Sequence, residues 1–207
     1  MKHICIAHFN QPLDWIRKLV TDAVAVIYTS GNESNFEPVE IEKHYCKNKG
    51  MDAGMYLSYI IDNYDSLPER IMFCHHHETN WTQDKSLPEI INSLNWEAAD
   101  YFNIGARVMY VNPFKLISQE HIDIIKASWH IFAGHIEYTE ELMFYCGTQF
   151  CVHRDLIKQY EKEFYVKLRY WVYNTELTDY FSGRMFEYFW HYLLTHDPID
   201  RDVKFIK

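Results

Sequence analysis

The sequence predicts an α/β protein, a mixed and mostly parallel sheet flanked by helices, in one domain over residues 1–207. Three observations lead there. Apolar runs at Ile4 to Ala7, Ala23 to Tyr28 and Ile71 to Cys74 lack the alternation of a half-exposed strand, as expected of strands covered on both faces. Segments with apolar residues at three- and four-residue steps lie between and beyond these runs and mark helices. The two kinds of segment alternate without an internal repeat, low-complexity tract or long linker, the pattern of helices packed on a sheet.

In chain order, His3 to His8 reads as a strand ending in a polar turn at Asn10-Gln-Pro12, and Leu13 to Val20 as a short helix. Ala23 to Tyr28 is a second strand, closed by the loop Thr29 to Asn35. Val39 to Cys46 alternates in part and is read as an edge strand, broken by Asn48-Lys-Gly50. From Asp52, apolar residues at Ala53, Tyr56, Leu57, Ile60, Ile61 and Tyr64 mark an amphipathic helix with an acid in its first turn. Asp65-Ser-Leu-Pro68 stops it before the strand at Arg70. Helices follow at Leu87 to Phe102, with Pro88 at the start, and at Ser118 to Phe132, with a strand at Arg107 to Val111 between them. Thr148 to His153 is a late strand, and Leu156 to Trp171 and Gly183 to Thr195 are the last helices.

With 48% hydrophobic and 17% aromatic residues, the chain fills a core and is not disordered. A formal net charge of −9 argues against a nucleic-acid backbone as partner, because phosphate binding needs clustered Lys and Arg. The five cysteines are widely spaced within apolar runs and suit reduced, buried thiols. The first residues do not resemble a signal peptide and no apolar run is long enough to span a bilayer, so a cytoplasmic protein is expected.

Three constellations can carry chemistry. The first is Arg70-Ile-Met-Phe-Cys-His-His-His-Glu78, a strand ending in three imidazoles and a carboxylate at the sheet edge where ligands collect. His75 with His77, or His76 with Glu78, would share a face if the strand continued, and both residue types ligate divalent cations; a hydrogen-bonded polar loop is the plainer reading. The second is the stripe Arg184, Glu187, His191 and Thr195 on an otherwise aromatic helix. It is either the solvent face of that helix or, if it faces a cleft, a general base Glu187 tuned by Arg184 or His191. The third is Gly147-Thr-Gln-Phe-Cys-Val-His-Arg154, where a glycine admits a ligand close to the backbone and Arg154 could pair an anion. Gly147 and Arg154 could equally do no more than open the strand and cap the next helix.

Tyr56-Leu-Ser-Tyr-Ile-Ile-Asp-Asn-Tyr-Asp-Ser-Leu-Pro68, Ile71-Met-Phe-Cys-His75, Cys146-Gly-Thr-Gln-Phe-Cys-Val and Glu187 with Trp190 together resemble the uncharacterised family called domain of unknown function 3431. The likeness runs from about residue 4 to 194, and the family's members come mainly from fungi and also from large DNA viruses. More distantly, the order of blocks resembles nucleotide-sugar-dependent glycosyltransferases of the GT-A type. Those enzymes usually end the corresponding strand in Asp-x-Asp, where this chain has His75-His-His-Glu78. That departure puts the usual manganese dependence in question, since imidazoles can also donate directly to a diphosphate.

The resemblance implies a sugar moved from a nucleotide-sugar donor to a hydroxyl acceptor, with a divalent metal (Mn, Mg or Zn) as the possible cofactor. Asn48, Gly50 and Asp52 would line the nucleotide pocket. His75, His77 and Glu78 would hold the diphosphate or its metal, and Trp81 would stack on a sugar or base. Gly147, Gln149 and Arg154 would border the acceptor. Glu187, with His191 beside it, would be the catalytic base. Two rival expectations stand beside this: a metal-dependent hydrolase, in which His75 and His77 with His135 or Glu187 bind zinc, and a module that binds nucleotide or sugar without turnover.

Overall fold

The computed structural model describes residues 1–31, 41–109 and 143–206, together with 119, 123, 126, 129 and 131. Strands β1 (Lys2–His8), β2 (Val24–Thr29), β3 (Glu42–Tyr45), β4 (Arg70–His75), β5 (Tyr101–Asn103) and β8 (Phe150–His153) form a six-stranded sheet. Their order is β3-β2-β1-β4-β8-β5, and β6 (Val108–Met109) pairs with β7 (Phe144–Tyr145) in a separate two-stranded sheet. Neighbours from β3 to β4 are parallel, whereas β8 runs antiparallel to both β4 and β5. The α/β class with a mixed, mostly parallel sheet is therefore what the chain adopts.

The unalternating runs have a simple cause, because each central strand feeds two cores. Cys5, Ala7, Val26, Tyr28, Ile71, Phe73, Phe150 and Val152 point to one side, against helices α1 (Asp52–Asn63), α4 (Lys162–Asn174) and α5 (Asp179–Thr195). Ile4, Ile6, Ile27, Met72, Cys74 and Cys151 point to the other, against the 3-10 turn Asp14–Lys18, helix α2 (Leu87–Asn92) and Phe102. Successive side chains of a strand leave by opposite faces, so a sheet buried on both sides must be apolar at every position. Ser86 and Glu89 form a capping box at the start of α2. Among the described residues no helix is long and apolar enough to cross a membrane.

Several expectations are corrected. The helix expected over Leu87 to Phe102 ends at Asn92, and Tyr101–Asn103 is the edge strand β5, paired to β8. Leu13 to Val20 holds only the 3-10 turn, and the expected edge strand is Glu42–Tyr45, its start at Val39 lying outside the described residues. The helix expected over Leu156 to Trp171 is two, α3 (Arg154–Lys158) and α4, and the last helix begins at Asp179, not Gly183. Of the segment Ser118 to Phe132, the described residues 119, 123, 126, 129 and 131 are helical.

Topology decides where a ligand can go. β2 and β4 lie on opposite sides of β1, so the chain reverses direction across the sheet at β1 and β4, and a crevice opens at their carboxyl ends. The register aligns those ends, Ala7 with His75 and His8 with Thr29. Because β8 is antiparallel, its beginning meets the end of β4, Phe150 opposite Phe73, and brings Gly147 to Gln149 to the same edge.

Candidate functional site

A pocket of ≈ 580 Å³ occupies this crevice. Its floor carries His75, Asp52 and Thr148. His75 ends β4, and its Nε2 lies 3.3 Å from Asp52 Oδ2 and 3.5 Å from Thr148 Oγ1. Asp52 opens helix α1, so the pocket also receives the amino end of a 12-residue helix, where backbone N–H groups favour anions. The end of β4 is held by a side chain, with the His75 backbone N–H donating to Gln149 Oε1 at 3.1 Å.

Glu187 of α5 lines the same pocket. Its Oε1 accepts the Gly147 N–H at 3.0 Å. Gly147 has φ of +101°, and a Cβ there would stand 2.6 Å from Thr82 Oγ1, so glycine meets both a conformational and a steric demand. Arg184, one turn before Glu187, lies 4.3 Å from the centroid of the Tyr180 ring and also bonds Tyr188. Thus Arg184 and Glu187 of the predicted polar stripe face the cleft and not open solvent. The nearby Cys146 thiol is pushed up to about 11 by burial and by the Glu187 carboxylate, which makes it a poor nucleophile.

The histidines do different work. His76 donates from a protonated Nδ1 to the Ala7 carbonyl (3.2 Å), and its ring lies tilted against that of His77 with the centroids 4.0 Å apart. Burial and the neighbouring His77 pull its pKa down to about 4, so it is neutral at pH 7. Burial and His75 lower that of His77, and burial lowers that of His8, whose ring is tied to Thr29 Oγ1 and the Gln11 carbonyl at 2.8 Å each. Glu78 turns out of the pocket to Lys18, 2.6 Å away. His75, His77 and Glu78 therefore do not converge, and among the described residues no group of three or more His, Cys, Asp or Glu side chains is arranged to hold a metal. His135 lies outside the described residues.

Of the other expected site residues, Asn48, Asp52, Trp81 and Gly147 line the pocket with His75, His77 and Glu187. Gly50 and Gln149 lie behind its wall: Gly50 has φ of +76° beside Val172, and Gln149 is fully buried. Arg154 does not line it. Its N–H bonds the Glu69 carbonyl at the opposite edge of the sheet, because β8 carries the chain away from Gly147. His191 is buried in the core with Nε2 3.2 Å from the Pro198 carbonyl, again away from the pocket. Sequence reasoning missed Met51, Thr82, Tyr180 and Gly183 as pocket residues. Only Gly183 left a signal, as a glycine inside a helical pattern: a Cβ there would lie 3.0 Å from the Gly50 carbonyl oxygen, so it lets α5 close on the start of α1.

Comparison with known proteins places the chain in a family. The chain belongs to the family described as a protein of unknown function (DUF3431), whose model matches residues 4–204. No curated protein matches it.

Proposed function

Starting from a family without an assigned reaction, we propose that the chain is a glycosyltransferase that moves a sugar from a nucleotide-sugar donor to a hydroxyl acceptor. The observation that carries this reading is that a carboxylate, Glu187, and a carboxylate-oriented imidazole, His75 with Asp52, line one pocket at the carboxyl edge of the sheet and are joined through the adjacent residues Gly147 and Thr148. Support also comes from the order of blocks along the chain and from the α1 amino terminus, whose N–H groups suit a diphosphate.

In this reaction the acceptor oxygen attacks the anomeric carbon while its proton passes to Glu187. The carbon–oxygen bond to the diphosphate breaks, and the nucleoside diphosphate leaves with the electron pair. Glu187 is anchored through Oε1 by Gly147, so Oε2 takes the proton. Charge that develops on the departing phosphate falls to His75, His77 and the helix terminus, with Asp52 fixing the orientation of the His75 ring. A site made of Asp-x-Asp needs a cation between carboxylate and phosphate. Imidazole donors do not, and with Glu78 paired to Lys18 no step is routed through a metal.

The test is release of nucleoside diphosphate and formation of glycoside across a panel of nucleotide sugars. Glu187→Gln is expected to lower transfer at least 100-fold, on the order of a missing general base, with donor binding retained. Transfer at the wild-type rate by that variant removes Glu187 from the mechanism, and absence of donor binding across the panel overturns the reading.

A further inference from the structure

The pocket is polar at its base and aromatic at its mouth. Thr148 is 7% exposed, whereas Trp81 is 67%, Tyr180 and Met51 each 51% and Phe9 43% exposed. These four are among eleven exposed large hydrophobic residues in the described chain, and all four border this one opening. Such a concentration of apolar surface at a cavity marks a binding surface. Polar side chains beside them already have partners: Asn48 with Ser30, Asn80 with Thr82, and Asp179 with Lys49.

Two of the rings are tied to the proposed base. Tyr180, Arg184 and Glu187 lie four and three residues apart on one face of α5, which puts the Cα of Tyr180 about 10 Å from that of Glu187. Trp81 precedes Thr82, the residue against which Gly147 packs while donating to Glu187. Arg184 lies on the Tyr180 ring, and Arg107 lies 5.9 Å from the Trp81 ring centre and donates to its carbonyl at 2.5 Å, so both rings are braced.

We infer that the acceptor is a phenol: a hydroxyl on a flat apolar ring body, seated between Trp81 and Tyr180 with its oxygen directed at Glu187. The role given to the hydroxyl rests on the transfer reading; the seat for the ring rests on the mouth alone. A glycan could stack on the same rings, but it carries several hydroxyls, each of which needs a polar partner that Phe9, Met51 and the face of Trp81 do not supply. A phenol offers an apolar face to the rings and an acidic O–H to the carboxylate.

The experiment is equilibrium binding of 4-methylumbelliferone, of maltotriose and of UDP to the full chain, without donor sugar, for wild type and for Trp81→Ala, Trp81→Phe and Tyr180→Ala. Expected are phenol binding by wild type, roughly tenfold weakening by each alanine variant, recovery with Trp81→Phe, and no detectable binding of maltotriose. Thermal melting of each variant at the wild-type temperature confirms that an exposed ring was removed from an intact fold. Absence of phenol binding by wild type, or unchanged affinity in both alanine variants, overturns the inference. So does loss of UDP binding in Trp81→Ala with phenol binding intact, since the mouth would then hold the donor's base. Because no donor sugar is present, failure of transfer leaves this result standing, and donor turnover without phenol binding removes only the acceptor.

Discussion

Gly147→Ala isolates the turn that holds the candidate base. The backbone there sits at φ of +101°, and a new methyl would lie 2.6 Å from Thr82 Oγ1 and 3.3 Å from Thr82 Cβ. An L-residue forced into such a region costs about 1–3 kcal/mol. If the turn rotates to escape, it surrenders the Gly147 N–H bond to the Glu187 carboxylate, and a hydrogen bond to a charged group contributes about 1.5–3 kcal/mol. The chain takes the cheaper route or a mixture, so the expected loss is about 1–3 kcal/mol. At this size each kcal/mol lowers Tm by about 2–4 °C, giving a fall of roughly 2–12 °C. Urea denaturation with the m-value checked for constancy measures it. Thr82→Ala in the Gly147→Ala background removes the nearest contact and leaves the φ strain, so it should restore part of the loss and not all. A single variant within about 0.5 kcal/mol of wild type would refute the argument that this turn requires glycine.

Other expectations are independent of that turn. His191 is buried and its pKa is lowered to about 4, mainly by burial, against about 6.5 in the unfolded chain. The unfolded state therefore binds the proton first, so stability falls as pH drops from about 6.5 towards 4, by on the order of 3 kcal/mol from this group. A urea series between pH 7 and pH 4 should flatten in His191→Phe; an unchanged slope would assign the acid sensitivity elsewhere. Glu78→Gln removes a solvent-exposed ion pair with Lys18 and should cost less than about 1 kcal/mol. Nucleotide binding by that variant, read by calorimetry, should equal wild type, and a large loss would return Glu78 to the site.

The long central strands and α1 were legible because their signals are local. Doubly buried strands must be apolar throughout, and α1 carries Ala53, Tyr56, Leu57, Ile60 and Ile61 at three- and four-residue steps, although in the fold every residue from Ala53 to Ile61 is buried. β5 was not legible. Tyr101-Phe-Asn103 becomes a strand by pairing with β8, from which it is separated by more than forty residues, and nothing in three residues encodes that partner. The division between α3 and α4 was hidden for a related reason. Ile157, Tyr160, Tyr165 and Leu168 all enter the same core, so the apolar spacing runs across the break that begins at Gln159. Arg154 shows how proximity in the sequence misleads: the four strand residues Phe150–His153 between it and the Gly147 turn span about 13 Å, enough to put the two at opposite edges of the sheet. Within α5 the spaced polar residues do not share one environment: a 17-residue helix is about 25 Å long, so Arg184 and Glu187 reach the cleft while His191, a turn further on, is already in the core.

The backbone supplies the remaining argument about the pocket. Six described residues have positive φ, and four of them form two adjacent pairs at this site, Gly50 with Met51 and Gly147 with Thr148. Met51 and Thr148 gain nothing from that conformation and each costs on the order of 1–3 kcal/mol, so the surrounding fold must hold them there. It does so from opposite sides. Gly183 lets α5 lie against the Gly50–Met51 turn, and the buried Tyr56 hydroxyl of α1 donates to the Thr148 carbonyl at 3.1 Å. The turn before α1 is thus clamped by α5, and the turn before β8 is clamped by α1. Helix α1 presents Asp52 to His75, and α5 presents Glu187 to Gly147, so each helix that clamps one turn also carries a polar side chain of the site. Strain at the rim and alignment of the floor are therefore properties of the same two helices. Loosening either turn should disturb the acid–base geometry before it disturbs the sheet.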